Sequence, residues 1–314
     1  MNYVTRTITL TSERHFGRRI PSTALGIVLE TISDSVVRSV SMAFRGRSSV
    51  DGPRPSRIEA AADIRFMEHR GADESTLVFE IPTLGEALNE LYDPHKNRRS
   101  LPDPDQTGFE LLAKVVGEVA ANNVDSDQFD RNMLKYLMKF RFALKRSFRE
   151  IRFDTIDASE SIATIDSHWI EIAREIRSAT PPPRRVRIVG TLDMLRVSTQ
   201  GFELRLDDGE SVPGVLLKGS IVDVAEVLNR RVMIVGRAIY RASGRILRID
   251  ADSIAITDST SSVWTKIPAP EASRSELRRR AAERRSRDGA ATLIGSWPGD
   301  ESDQEIDRAL EEIG

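Results

Sequence analysis

Arg184-Arg-Val-Arg-Ile-Val-Gly190 returns further along the chain as Arg230-Arg-Val-Met-Ile-Val-Gly236. Both copies set β-branched residues in alternation with others, which is the pattern of a strand with one buried face. A second echo follows each: Arg196-Val-Ser198 leading to Phe202-Glu-Leu-Arg-Leu-Asp207 is matched by Arg241-Ala-Ser243 leading to Ile246-Leu-Arg-Ile-Asp250. One strand–turn–strand unit is therefore written twice. Between the copies, Asp207-Asp208-Gly209 marks a hairpin turn into a further strand through Val212 to Leu217. Ser220 then stands where it would cap a short helix from Ile221 to Leu228. Three strands, a helix and two strands is the order of an OB-like β-barrel, here over 184–257.

Just ahead, 179–183 contains Thr180-Pro181-Pro182-Pro183, a stiff polyproline spacer and the clearest domain boundary in the chain. Residues 1–178 mix both element types. Val4 to Leu10 alternates as a strand with Val4, Arg6, Ile8 and Leu10 on one face. From Pro21-Ser22 a long helix runs with Leu25, Val28, Leu29, Ile32, Val36, Val40 and Phe44 on one stripe. A hairpin follows, Asp63 to His69 and Thr76 to Ile81, and then a short helix from Thr83 to Leu91. Phe109 to Val119 and Phe129 to Phe142 carry two more apolar stripes. The second ends in Arg141, Lys145 and Arg146, a charge that suits a helix C-terminus. Glu150 to Asp154 reads as a strand and Ile165 to Ile176 as a helix. The order predicts an α+β domain, then the barrel. Residues 258–272 form a flexible tether rich in Ser, Thr and Pro.

The last segment, 273–314, is unlike the rest. Ser273 with Glu276, and Ser302 with Glu305, are two capping boxes, so two helices are expected. The first, to Arg287, holds seven Arg and has net charge +4 to Asp288, whereas the stretch from Gly289 to the end has net charge −6. Leu293, Ile294, Trp297, Ile306, Leu310 and Ile313 give the acidic part its apolar anchors. Helices this short are marginal alone in water, so the tail is predicted either solvated or laid on a surface. This arrangement, and above all Trp297-Pro298-Gly299-Asp300-Glu301 within Leu293 to Ile313, resembles the toxin-binding C-terminal tails of bacterial antitoxins paired with PIN-domain ribonuclease toxins. The resemblance implies a toxin partner whose acidic active site receives the tail. Arg278, Arg279, Arg285, Leu293, Trp297, Ile306, Leu310 and Ile313 would then make the contact. No ribbon-helix-helix or swapped-hairpin pattern accompanies it.

Composition narrows the alternatives. The 314 residues carry net charge −2, so nothing pulls the whole chain toward nucleic acid or an anionic membrane. There is no cysteine, which removes disulfides and thiolate chemistry. No signal-peptide pattern and no membrane-length apolar run is present, so a cytoplasmic protein without membrane attachment is expected. P-loop, GxGxxG, GxSxG and HExxH patterns are absent, and His15, His69, His95 and His168 are too scattered to ligate a metal. No catalytic residue, metal or cofactor is therefore expected. Asp103 and Asp105, and Asp125, Asp127 and Asp130, read as solvated loop and N-cap carboxylates. The alternative function is nucleic-acid binding by the barrel and the Arg-rich helix, with Arg184, Arg185, Arg187, Arg230 and Arg231 as contacts. The barrel's charge of +3 favours it, and its shortage of aromatics, Phe202 and Tyr240 alone, opposes it.

Overall fold

A computed structural model of the protein describes residues 3–13, 16, 19–49, 56–71, 74–92, 101–154, 161–221, 224–257 and 270. They form two lobes, each with its own hydrophobic core.

The first lobe is built on β1 (Tyr3–Thr11). The strand leads into α1 (Ser22–Arg45), α2 (Ser56–Ala61) and the hairpin β2 (Arg65–Gly71) and β3 (Ser75–Pro82). Then come α3 (Leu84–Ala87), α4 (Gly108–Ala120), α5 (Arg131–Leu137), a 3-10 turn over Met138–Phe140, and α6 (Arg141–Arg146). The lobe closes with β4 (Glu150–Asp154), β5 (Ser161–Ile165) and α7 (Ser167–Ala179). The five strands make one antiparallel sheet in the order β2-β3-β1-β4-β5. The α1 stripe is buried as its periodicity requires, with Val28, Ile32, Val36 and Val40 fully inside. α4 packs on α1 and β5, and Phe109 and Phe153 meet with ring centroids 5.3 Å apart.

Arg6 shows how the strand tolerates a charge on its inner face. Its guanidinium is buried and ion-paired with Glu110. Glu110 also completes the capping box of α4, accepting from the Thr107 amide at 2.8 Å while Thr107 Oγ1 accepts from the Phe109 amide at 3.1 Å. One carboxylate thus starts a helix and neutralises a strand.

Three sequence expectations are corrected here. Ile165 ends a strand, β5, that the alternation did not announce, and α7 begins after it, with Asp166 accepting from the Trp169 amide at 2.7 Å. The helix expected over Phe129 to Phe142 is divided by the 3-10 turn at Met138–Phe140, although no Gly or Pro marks the place. The helix expected from Ile221 to Leu228 is, among the described residues, a 3-10 turn over Ala225–Val227.

The second lobe is a closed five-stranded barrel of β6 (Arg184–Arg196), β7 (Gly201–Arg205), β8 (Ser211–Leu216), β9 (Arg231–Tyr240) and β10 (Ile246–Ile256). Around the ring the order is β6-β7-β8-β10-β9. The β8–β10 pair is parallel and the others are antiparallel. Closure depends on β6 serving two neighbours. Arg184 to Thr191 pairs with β9, and Thr191 to Arg196 pairs with β7, with a register shift between Leu192 and Met194. The two echoed segments are thereby laid against each other. Their glycines have one job: a Cβ on Gly190 would lie 2.6 Å from the Arg205 carbonyl oxygen, and one on Gly236 would lie 2.3 Å from that of Asp250. Only a residue without a side chain lets the strand backbones come this close.

Candidate functional site

Two of the charge concentrations among the described residues differ in physical character.

The first is the junction between the lobes. The β9–β10 turn folds tightly, with the Arg241 amide donating to the Arg245 carbonyl at 2.8 Å. Its tip reaches the loop after α4. The Ser243 amide donates to the Val124 carbonyl at 3.1 Å, Ser243 Oγ to Asp125 Oδ1 at 2.5 Å, and Arg241 Nη1 to the Asp125 carbonyl at 2.9 Å. Behind the tip lies Arg248, only 4% exposed. Its Nη2 donates to Asp130 Oδ2 at 3.1 Å and its Nε to Asp250 Oδ1 at 2.7 Å. Asp130 is also the N-cap of α5, accepting from the Met133 amide at 2.9 Å, and it takes both the amide and the hydroxyl of Ser48. Burial by itself would push the Asp130 carboxyl up. The Arg248 guanidinium, the Ser48 hydroxyl and the two amides outweigh it and hold the group below the ordinary carboxylate range. Burial likewise opposes charge on Arg248, but Asp130 and Asp250 outweigh it and raise its pKa.

Buried, perturbed charges are where active sites are sought. Here both carboxylate oxygens of Asp130 are engaged by protein donors, so the network is a clasp between lobes. Asp130 is the N-cap carboxylate that its position suggested, but it is not solvated: it is 4% exposed, because the lobe that buries it also brings its counter-charge, Arg248. Among the described residues no group of three or more metal-ligating side chains occurs.

The second place is the outer face of α5, the 3-10 turn and α6. The chain as a whole balances 46 Lys and Arg against 48 Asp and Glu, yet residues 131–149 hold seven basic residues and no acid. Met133, Leu134, Leu137, Met138, Phe140 and Ala143 turn into the core, which leaves the charges outside. A hollow of about 450 Å³ opens there, lined by Lys135, Tyr136, Met138, Lys139, Arg141, Phe142 and Arg177. The Arg38 guanidinium, from α1, sits 3.2 Å from the centre of the Tyr136 ring, with Lys139 at 5.0 Å. The Arg141 guanidinium lies 4.6 Å from the centre of the Phe142 ring, and Phe142 is 46% exposed. Glu30 and Asp34 approach Lys139 at 3.8 and 3.7 Å. Lys135, Arg141, Lys145, Arg146 and Arg177 have no carboxylate partner among the described residues. Sequence reading took Arg141, Lys145 and Arg146 as helix-end charges. The signal that would have found the face is the acid-free run itself, with Tyr136 and Phe142 inside it.

The five arginines predicted on the barrel do not form one patch. Arg184 and Arg185 lie at one end of the β6–β9 ladder, Arg187 midway along it, and Arg231 at the other end, about 20 Å from Arg185 at roughly 3.3 Å per strand residue. Arg231 is held by Asp207 through two bonds of 2.7 and 2.8 Å. Arg185 faces Arg237 directly across the ladder. Phe202 and Tyr240 are both buried inside the barrel. The predicted partner-binding residues Arg278, Arg279, Arg285, Leu293, Trp297, Ile306, Leu310 and Ile313 lie outside the described residues, as do both tail capping boxes.

Compared with known proteins, the chain matches no family model, no curated protein and no solved structure. Among the described residues no helix is long and apolar enough to cross a membrane.

Proposed function

We propose that the chain is a non-catalytic binding protein, an antitoxin or inhibitor acting in the cytoplasm, whose C-terminal tail captures a partner such as a PIN-type ribonuclease toxin. The observation that carries this reading is the segregation within 273–314: an Arg-rich capped segment of charge +4, then an acidic one of charge −6 bearing Trp297, Leu310 and Ile313. Trp and Arg are the side chains on which interfaces concentrate their energy. The test is co-expression of the full chain, and of a truncation ending at Pro270, with the neighbouring genes, followed by pull-down. Retention of a small acidic nuclease by the full chain alone is the expected result, with Trp297→Ala weakening it by about thirtyfold, as for a hot spot of about 2 kcal/mol. Equal retention by both chains removes the proposal.

A second reading, nucleic-acid binding, draws on two observations. The ring order with its parallel β8–β10 pair fits an OB-like barrel. The basic α5–α6 face is the other. OB folds take oligonucleotides on their second and third strands and on the loops after the first and fourth. Here β7 and β8 present no aromatic outward, and the β9–β10 turn is engaged with the first lobe. The α5–α6 face is the better place to look.

A further inference from the structure

We propose that the face formed by α5, the Met138–Phe140 turn and α6 is a binding site for single-stranded nucleic acid. Three features converge on that class of ligand. The first is unbalanced charge: Lys135, Arg141, Lys145, Arg146 and Arg177 have no carboxylate partner among the described residues, in a chain whose net charge is −2. A polyanion releases counter-ions on meeting such a face, and that release drives association. The second is aromatic surface among the cations. Phe142 is nearly half exposed with the Arg141 guanidinium over its ring, and Tyr136 carries that of Arg38. Planar stacks of this kind extend readily onto a nucleobase, whose flat face pairs with rings and guanidinium groups alike. The third is shape. The hollow of about 450 Å³ between Tyr136, Phe142 and Arg177 is of the size that receives a small ligand group, with Lys135 and Arg141 at its rim.

The aromatic component separates this ligand from two others. A duplex hides its base faces, so it would use the charges and leave Phe142 idle. An acidic protein segment would satisfy the lysines and arginines but would gain nothing base-like from the Tyr136 and Phe142 rings. Single strands alone use both halves of the surface.

The site is tested on the full chain by fluorescence anisotropy with a labelled twelve-nucleotide uridine RNA, the thymidine DNA of equal length, a matched duplex and a twelve-residue glutamate peptide. Either single strand should bind. The logarithm of its affinity should fall with that of salt at a slope of about −3, the value for some four phosphates at about −0.7 each. Lys135→Glu with Arg141→Glu should weaken binding at least tenfold and flatten the slope. Phe142→Ala should weaken it about fivefold or more with the slope unchanged, because stacking releases no ions. RNA against DNA at equal length shows which sugar is preferred. The Arg-rich tail and the barrel arginines supply comparators, Arg278→Glu with Arg285→Glu and Arg185→Glu with Arg187→Glu. If those variants abolish binding while Lys135→Glu with Arg141→Glu and Phe142→Ala leave it intact, the site is elsewhere and the proposal is wrong. It is equally wrong if the glutamate peptide binds as tightly as the single strands and Phe142→Ala changes neither. Binding that is undetectable for every probe at low salt also overturns it.

Discussion

The lobe junction and the α5–α6 face are both arginine-rich, and they use the residue in opposite ways. At the junction Arg248 is 4% exposed, and its guanidinium is held between Asp130 and Asp250 at 3.1 and 2.7 Å. On the outer face Arg141 is exposed and its guanidinium lies over the Phe142 ring, with no carboxylate partner among the described residues. The contrast follows from solvation. A cation out of water is tolerable only with its counter-charge and hydrogen bonds in place, whereas one in water needs no partner and stays available to a ligand. Arginines in a sequence therefore announce nothing by number. What separates a clasp from a docking face is whether the fold brings carboxylates to them.

The sharpest way to break the comparison is at Arg248. Arg248→Met leaves the buried carboxylates of Asp130 and Asp250 without their cation, and loss of one partner of a buried pair costs roughly 3–5 kcal/mol. Urea unfolding of the full chain should show that loss; a change below about 1 kcal/mol would mean that the clasp contributes no more than a surface pair does. Acid should do the same by titration. The Asp130 carboxyl lies below its ordinary value in the folded protein, so its contribution is complete above about pH 4, the unfolded value, and declines as pH falls further. Asp130→Asn should be less stable at neutral pH but should lose less on acidification below pH 4. Parallel acid curves for the two proteins would remove Asp130 as the titrating group.

A smaller effect is expected inside the barrel, where no charge is involved. Gly236→Ala sets a methyl group 2.3 Å from the Asp250 carbonyl oxygen, and the strands must part to admit it. Overpacking of this order costs typically 1–3 kcal/mol. Because Asp250 is also a partner of Arg248, the substitution should loosen the junction too. Its effect and that of Arg248→Met should add to less than their sum in a double-mutant cycle. Strict additivity would show that barrel closure and lobe docking are independent.

The echo of Arg184–Gly190 in Arg230–Gly236 made the barrel legible, because strand alternation, hairpin turns and repeated glycines all mark closed β structure. Apolar stripes made α1 and α4 legible for the same reason: periodicity is local. β5 was not legible, since Ser161 to Ile165 is short and its pairing with β4 is what makes it a strand. The clasp was hidden for a deeper reason. Asp130 looks like any N-cap carboxylate, and Arg248 like any strand arginine, and only the docking of two separately readable lobes puts them 3.1 Å apart. The α5–α6 face was within reach of the sequence. Its acid-free run is local, but helix-end charge explained three of its members and drew attention away from the other four.

The smallest effect is the one that tells most about that face. Lys145 and Arg146 are exposed at the end of α6, with no carboxylate partner among the described residues. A surface kept for stability would hold acids between its cations, as i,i+4 pairs do elsewhere for a few tenths of a kcal/mol each. Here like charges stand at 141 and 145, and at 135 and 139, and each such pair is unfavourable by a similar amount. Lys145→Glu converts a repulsion with Arg141 into an attraction worth about 0.2–0.5 kcal/mol, but it also sets an acid in the last turn of α6, where the helix dipole opposes it by a comparable amount. The net change in stability should therefore stay within about 0.5 kcal/mol. Thermal unfolding at low and high salt reads this directly, and what change there is should fade as salt screens it. A loss clearly above about 1 kcal/mol instead would mean that Lys145 already has an attractive role in the folded chain beyond its place at the helix end, and the face would join the junction as structure. A change that small leaves a basic surface that the fold does not need, and that is the condition under which a ligand accounts for it.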